Sequence, residues 1–205
     1  MKKLNVILFI FVCVSLFSQK IYNFNYFTKS EIINVQDNSI VEYTDYFNTE
    51  DFSYSMRFFK VKNNSMARIF DYKNDIYYTF KINEVNKNDK IYYDLNYQGS
   101  SISTNIKNQN ISFAFIEKDE GIDDKKVELK VFTRKNDKKP LEYLLTLKPS
   151  NKKLFPIFRI SFLHPLENEN INYNENYFVS EAINNSYKYV LKENTMEKEI
   201  IGYTL

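Results

Sequence analysis

Between Asp75 and Tyr97 the chain alternates apolar and polar residues with a period of two. Ile76, Tyr78, Phe80 and Ile82 face one side against Asp75, Tyr77, Thr79 and Lys81; Ile91, Tyr93, Leu95 and Tyr97 repeat the pattern against Lys90, Tyr92, Asp94 and Asn96. Successive strand side chains point to opposite sides, so this spacing gives each strand one apolar face that must be buried on another. Val127, Leu129 and Val131 alternate with Glu128 and Lys130, and Leu141, Tyr143, Leu145 and Leu147 alternate with Glu142, Thr146 and Lys148. Less regular patterns predict further strands over 21–27, 40–47, 53–61, 66–72, 111–117, 157–163, 177–183, 186–192 and 199–205. The best helix candidate, Ser30 to Val35, is short and has no acidic residue at the capping-box position.

Short polar breaks at Asn63-Asn64 and Lys73-Asn74 read as hairpin turns, because Asn tolerates the left-handed conformation that tight turns demand. Longer breaks fall at Asn83 to Asp89, Lys118 to Lys126 and Asn136 to Lys139, and Glu167 to Asn176 is rich enough in Asn and Glu to be a loop or insertion. Strands without helices to cover them must pack on one another. The expected fold is all-β: a single domain of antiparallel strands over 19–205, forming a curved sheet, half-barrel or sandwich with few or no helices after residue 18.

Residues 1–18 read as a signal peptide. Lys2 and Lys3 precede an almost wholly apolar run from Leu4 to Phe17, which ends at Ser18-Gln19-Lys20. That run is too short for a hydrocarbon core needing roughly 20 residues. The expected mature protein therefore has no transmembrane anchor and resides in the periplasm or outer-membrane periphery, or is secreted. The only cysteine, Cys13, would leave with the signal, removing disulfide and thiol chemistry. Loss of Lys2 and Lys3 leaves 26 basic residues against 26 acidic ones, and a neutral chain argues against nucleic acid as a partner.

Three glycines, Gly99, Gly121 and Gly202, cannot build a phosphate-cradling loop, which sets aside Walker-type and dinucleotide-fingerprint chemistry. His164 is the only histidine, so a catalytic triad or multi-histidine metal site lacks partners; its residual role is a general base beside Glu167 or Glu169. Asp119, Glu120, Gly121, Asp123 and Asp124 could offer oxygen ligands to calcium, but the spacing misses the usual loop and Lys125 and Lys126 follow at once. No catalytic residue, metal ligand or cofactor is assigned.

Tyrosines recur on strand faces, at 43, 54, 78, 93, 97, 143 and 189. Either they fill a core or they line a concave sheet that holds an apolar molecule, with their polar tips orienting it. On the second reading the ligand-binding residues are Tyr78, Phe80, Tyr93, Tyr97 and Tyr143. Arg57 and Arg68, on strands joined by the 63–64 turn, are expected to be cross-strand neighbours, either pairing with carboxylates or forming an anion site.

The segment Ser15-Leu16-Phe17-Ser18-Gln19-Lys20 heading a cysteine-free, Asn- and Lys-rich β chain resembles small exported proteins of the Bacteroidota, flavobacteria especially. The stretch Ala67-Arg68-Ile69-Phe70-Asp71-Tyr72-Lys73-Asn74-Asp75-Ile76-Tyr77-Tyr78-Thr79-Phe80 resembles a hairpin of envelope β-sheet proteins, including lipoprotein-carrier half-barrels and the secreted family with a Gly-Leu-Pro-Gly-Leu-Ile motif. That motif is absent here; the nearest run is Leu154-Phe155-Pro156-Ile157. The resemblance implies a cell-envelope protein. The expected function is non-enzymatic binding of a lipid or other apolar small molecule, or of an envelope protein. The alternatives are an interaction module without a ligand and a carboxylate-based hydrolase.

Overall fold

The computed structural model of the chain describes residues 21–87, 90–103, 111–121, 123–132, 139–163, 166 and 169–204. The expected signal segment, Arg134, His164, Glu167 and most of the 136–139 break lie outside the described residues. The strands are β1 (Ile21–Asn34), β2 (Ile40–Phe47), β3 (Tyr54–Val61), β4 (Asn64–Asp71), β5 (Ile76–Lys87), β6 (Lys90–Ile102), β7 (Ser112–Glu120), β8 (Lys125–Phe132), β9 (Leu141–Pro149), β10 (Tyr177–Ile183) and β11 (Tyr187–Thr204); among the described residues there is one helix, α1 (Phe155–Phe162), between β9 and β10. All strand pairs are antiparallel.

The strands form one open 11-stranded sheet in the order β6-β5-β4-β3-β2-β1-β11-β10-β9-β8-β7. Two meanders, β1 to β6 and β7 to β11, thus meet at the β1–β11 seam, and the strands consecutive across the middle of the chain, β6 and β7, are the outer edges. Ile102 and Ser112 are joined by a link that reaches at most ~36 Å when extended, whereas ten strand spacings in a flat sheet would separate the edges by ~48 Å. Chain connectivity alone forces the sheet to coil.

Each meander buries apolar side chains differently. In the C-terminal wing Val127, Leu129, Val131, Leu145 and Leu147 pack under Phe155 and Phe158 of α1. In the N-terminal wing Tyr54, Met56, Ala67, Ile69, Phe80 and Ile82 pack with Tyr22 and Phe24 of β1. Register places Met56 and Phe58 on the opposite face from Arg57, and Arg57 faces Asp45, which bonds to α1; the N-terminal aromatic core therefore lies on the side of the sheet away from the helix. Near the seam the helix face is also covered, by Leu154, Ile157 and Ile160 over Tyr26 and Phe47.

Three sequence expectations are corrected. Residues 157–162 of the expected strand 157–163 are helix: Pro156 fits a first helical turn, where no N–H partner is lost, and the apolar residues at 154, 157 and 160 follow a helical spacing that the alternation of Phe158, Ile160 and Phe162 conceals. Ser30 to Asn34 is strand, because Ile32 and Ile33 pair with β2 on one side and β11 on the other. The polar break at 83–89 is mostly strand as well, since Asn83 to Lys87 pair with Lys90 to Asp94. The 167–176 expectation of a loop holds for residues 169–176, and Ile171 and Tyr173 anchor that loop in the helix-side core.

Candidate functional site: a groove in the N-terminal half-barrel

Cross-strand register puts Thr44, Phe58, Ala67, Phe80 and Tyr97 on one face of five successive strands, with Ile82 opposite Leu95 and Glu84 opposite Tyr93 on the same face. That face is concave. The ring of Tyr93 on β6 meets the ring of Phe58 on β3 with centroids 5.4 Å apart, although two strands lie between them. In a flat sheet those strands would stand ~14 Å apart. The irregular pairing where Thr79 faces Gly99 but Phe80 faces Tyr97 adds a bulge to β6, and Gly99 accepts the φ of 152° that the bulge requires.

Aromatic edges continue the lining inward. Phe58 meets Tyr46 at 5.1 Å, Phe80 meets Tyr97 at 5.8 Å, and Tyr22 meets Tyr54 and Tyr78 at 5.1 and 6.0 Å. The deepest hydroxyls are satisfied. Tyr22 Oη donates to Asp71 Oδ2 at 2.8 Å, Tyr54 Oη donates to the Asn23 carbonyl at 3.0 Å, and Asn48 Nδ2 donates to Tyr54 Oη at 2.8 Å. Burial, reinforced by the Asp71 carboxylate, pushes the Tyr22 phenol well above the ordinary tyrosine range, so it stays a neutral donor. The floor is therefore fixed, while the mouth is open.

At the mouth the lining leaves a groove of about 410 Å³. Phe58 and Ile82 form its floor, Tyr93 one wall, and Glu42, Lys60 and Glu84 its polar rim. Such a volume with an apolar floor and few polar groups is the size of a small-molecule site.

Four of the five residues expected to bind a ligand share this concave face. Phe80 is buried, Tyr78 half-buried, and Tyr93 and Tyr97 are 48% and 50% exposed. Tyr143 is not with them: it lies on β9 in the other wing and packs edge-on against Phe162 of the helix at 6.0 Å. Phe58 and the rim residues Glu42, Lys60 and Glu84 were not singled out from sequence, and Ile82 was placed on the apolar face of its strand without being named as a ligand contact. The alternation Tyr54, Met56, Phe58 was the available signal, but the curl that brings β3 under β6 was not.

A second groove, about 400 Å³, lies at the outer end of the helix-side core and is lined by Phe113, Phe115, Glu117, Tyr173 and Glu175 among others. Lys125 Nζ stands 2.5 Å from Glu117 Oε1 and 3.7 Å from Glu175 Oε2, so the two carboxylates are no more than about 6.2 Å apart, a separation compatible with paired-carboxylate hydrolysis. Yet the Lys125 ammonium holds the Glu117 carboxyl below its ordinary range, the reverse of what an acid catalyst needs. The hairpin carrying Asp119, Gly121, Asp123 and Asp124 closes through Gly121 N–H donating to the Asp124 carbonyl at 2.8 Å, and no group of three or more metal-binding side chains occurs among the described residues. No helix of the described residues is long and apolar enough to cross a membrane.

Comparison with known proteins gives no match among protein families, curated proteins or solved structures.

Proposed function

We propose that this is an exported, non-enzymatic binding protein of the cell envelope whose N-terminal half-barrel holds an apolar small molecule. The observation that carries the reading is the Tyr93–Phe58 contact across the concave face, which makes a groove of about 410 Å³ with an apolar floor and a rim of two carboxylates and one ammonium. Burial of an apolar body against Phe58, Ile82 and Tyr93 supplies affinity, and Glu42, Lys60 and Glu84 select the polar end. Export is argued from Lys2, Lys3 and the apolar run that follows. The constraint on Glu117 speaks for binding over hydrolysis in the second groove.

Native mass spectrometry of protein taken gently from its own envelope fraction, followed by solvent extraction, tests the proposal. A stoichiometric apolar adduct, lost in Tyr93→Ala and Phe58→Ala proteins that keep their circular dichroism, is the expected result. A clean apo mass across preparations sinks it. Because Tyr93 and Tyr97 stand half-exposed on edge strand β6, co-purification of a protein through that edge would shift the assignment to partner binding.

A further inference from the structure

Arg57 and Arg68 are directly opposite one another on β3 and β4, on the face of the N-terminal wing away from the groove. Like charges at such positions repel unless something cancels them. Arg57 is cancelled: its Nε and Nη2 donate to Asp45 at 2.6 and 3.0 Å, and Tyr43 lies under its guanidinium at 4.1 Å. Arg68 has rings and, among the described residues, no anion. Its guanidinium carbon stands 4.6 Å from the Tyr77 centroid, 5.2 Å from Phe59 and 5.9 Å from Phe70. Its Nε is sealed from water with no acceptor, and among the described residues no carboxylate lies within ion-pair distance.

Ring faces offset part of the cost of a poorly hydrated guanidinium but accept no hydrogen bond from its in-plane N–H groups. The sealed Nε is out of reach from solution, so a planar acceptor is met end-on by the two Nη groups, which are not among the buried unpartnered atoms. Arg68 keeps partial exposure, as do Phe59, Phe70 and Tyr77, so an incoming molecule can reach the cation and the rings together. We infer that Arg68 and the surrounding rings of Phe59, Phe70 and Tyr77 form a site for a carboxylate carrying an apolar body. With Arg57 held by Asp45, the one guanidinium set among the rings matches a monoanion with a greasy tail better than a multiply charged phosphate, whose second charge would be left beside hydrocarbon faces.

Arg68, Phe70 and Tyr77 do not line the groove, and Phe59 borders both, so the test is made on Arg68, which the groove does not use. The test is titration of the ¹⁵N-arginine-labelled protein with decanoate and decan-1-ol, both below their aggregation limits, following the side-chain Nε–Hε signals. With four arginines in the chain the spectrum is simple, and Arg68→Gln assigns its own peak. Decanoate is expected to move the Arg68 signal saturably, with at least tenfold tighter binding than decan-1-ol. Arg68→Lys, which keeps the charge and loses the fork, is expected to weaken decanoate at least threefold. Equal affinity for acid and alcohol, an unmoved Arg68 signal, or undiminished decanoate binding in a folded Arg68→Lys protein would each overturn the assignment.

Discussion

The two wings of this sheet solve the same burial problem with different covers. The C-terminal wing packs strand aliphatics, Val127, Leu129, Val131, Leu145 and Leu147, together with Tyr143 and Tyr189 beneath a helix that adds Phe155 and Phe158. The N-terminal wing sets Tyr22, Phe24, Tyr46, Tyr54 and Phe80 among Met56, Ala67, Ile69 and Ile82 and curls its own strands over them, with no helix on that face among the described residues. Rings occur in both cores, so the cover makes the difference: over the C-terminal strands the helix supplies the second layer, and room remains only at its outer end, in the groove beside Phe115 and Tyr173. On the N-terminal concave face the strands must close over themselves, and the proposed ligand groove is what that closure leaves between Phe58, Ile82 and Tyr93.

The largest effect is expected where the wings are tied together. Asp45 on β2 is 2% exposed and accepts bonds from Arg57 on β3 and, at 3.2 Å, from Ser161 Oγ on α1, the helix that covers the other wing. Asp45→Ala leaves a guanidinium and a hydroxyl unpaired beneath the helix, at a cost of about 3–5 kcal/mol. Urea denaturation measures the loss, and amide exchange locates it. Reduced protection in both wings is expected; a loss confined to β2 and β3 would mean that the wings are stabilised independently and the comparison is between two folding units.

Much of the sheet was legible from alternation, because strand faces of period two are a local property. β2 and β10 coincide with the expected segments 40–47 and 177–183, and β5, β6, β8 and β9 grow from their most regular runs. What the sequence concealed was non-local. Helix α1 sits in an apolar run whose residues are buried on most sides, so neither period dominates. The split of Tyr143 from Tyr78, Phe80, Tyr93 and Tyr97 follows from strand order, which places β9 beyond the seam, and alternation says nothing about order. Arg57 and Arg68 did emerge as neighbours from the short turn between them, but only packing separates the arginine that has a carboxylate from the one that has rings.

A smaller, one-sided effect is expected in acid. Lys125 in the C-terminal wing has a side chain only 7% exposed, and its first partner is Glu117 at 2.5 Å. That contact holds the Glu117 carboxyl below its ordinary value of 4.5, so its contribution is present above that pH and is lost as pH falls through the lower folded-state value. Protonation leaves the ammonium with Glu175 at 3.7 Å and the Tyr173 ring. Exchange protection in β7 and β8 should fall between pH 5 and 3 more steeply than in β3 and β4, and Glu117→Gln should flatten that difference. Equal acid sensitivity in the two wings of the wild type would show that this pair does not set it.

The smallest effect belongs to a single turn of the aromatic wing. β3 and β4 are joined by Lys62 and Asn63, with Val61 paired to Asn64, and Lys62 carries a φ of 55°. A side chain in that left-handed region costs roughly 1–2 kcal/mol, while glycine relieves it at an entropic cost of about 0.5–1 kcal/mol in the unfolded chain. Lys62→Gly should therefore stabilise the protein by about half a kcal/mol, read as a small rise in the urea midpoint at unchanged slope. Because Phe58 and Phe59 lie on the strand that this turn fixes, the same variant distinguishes a groove held rigid by its hairpin from one that adapts to its ligand: the first predicts unchanged adduct retention, and weakened retention would place flexibility of β3 in the binding step.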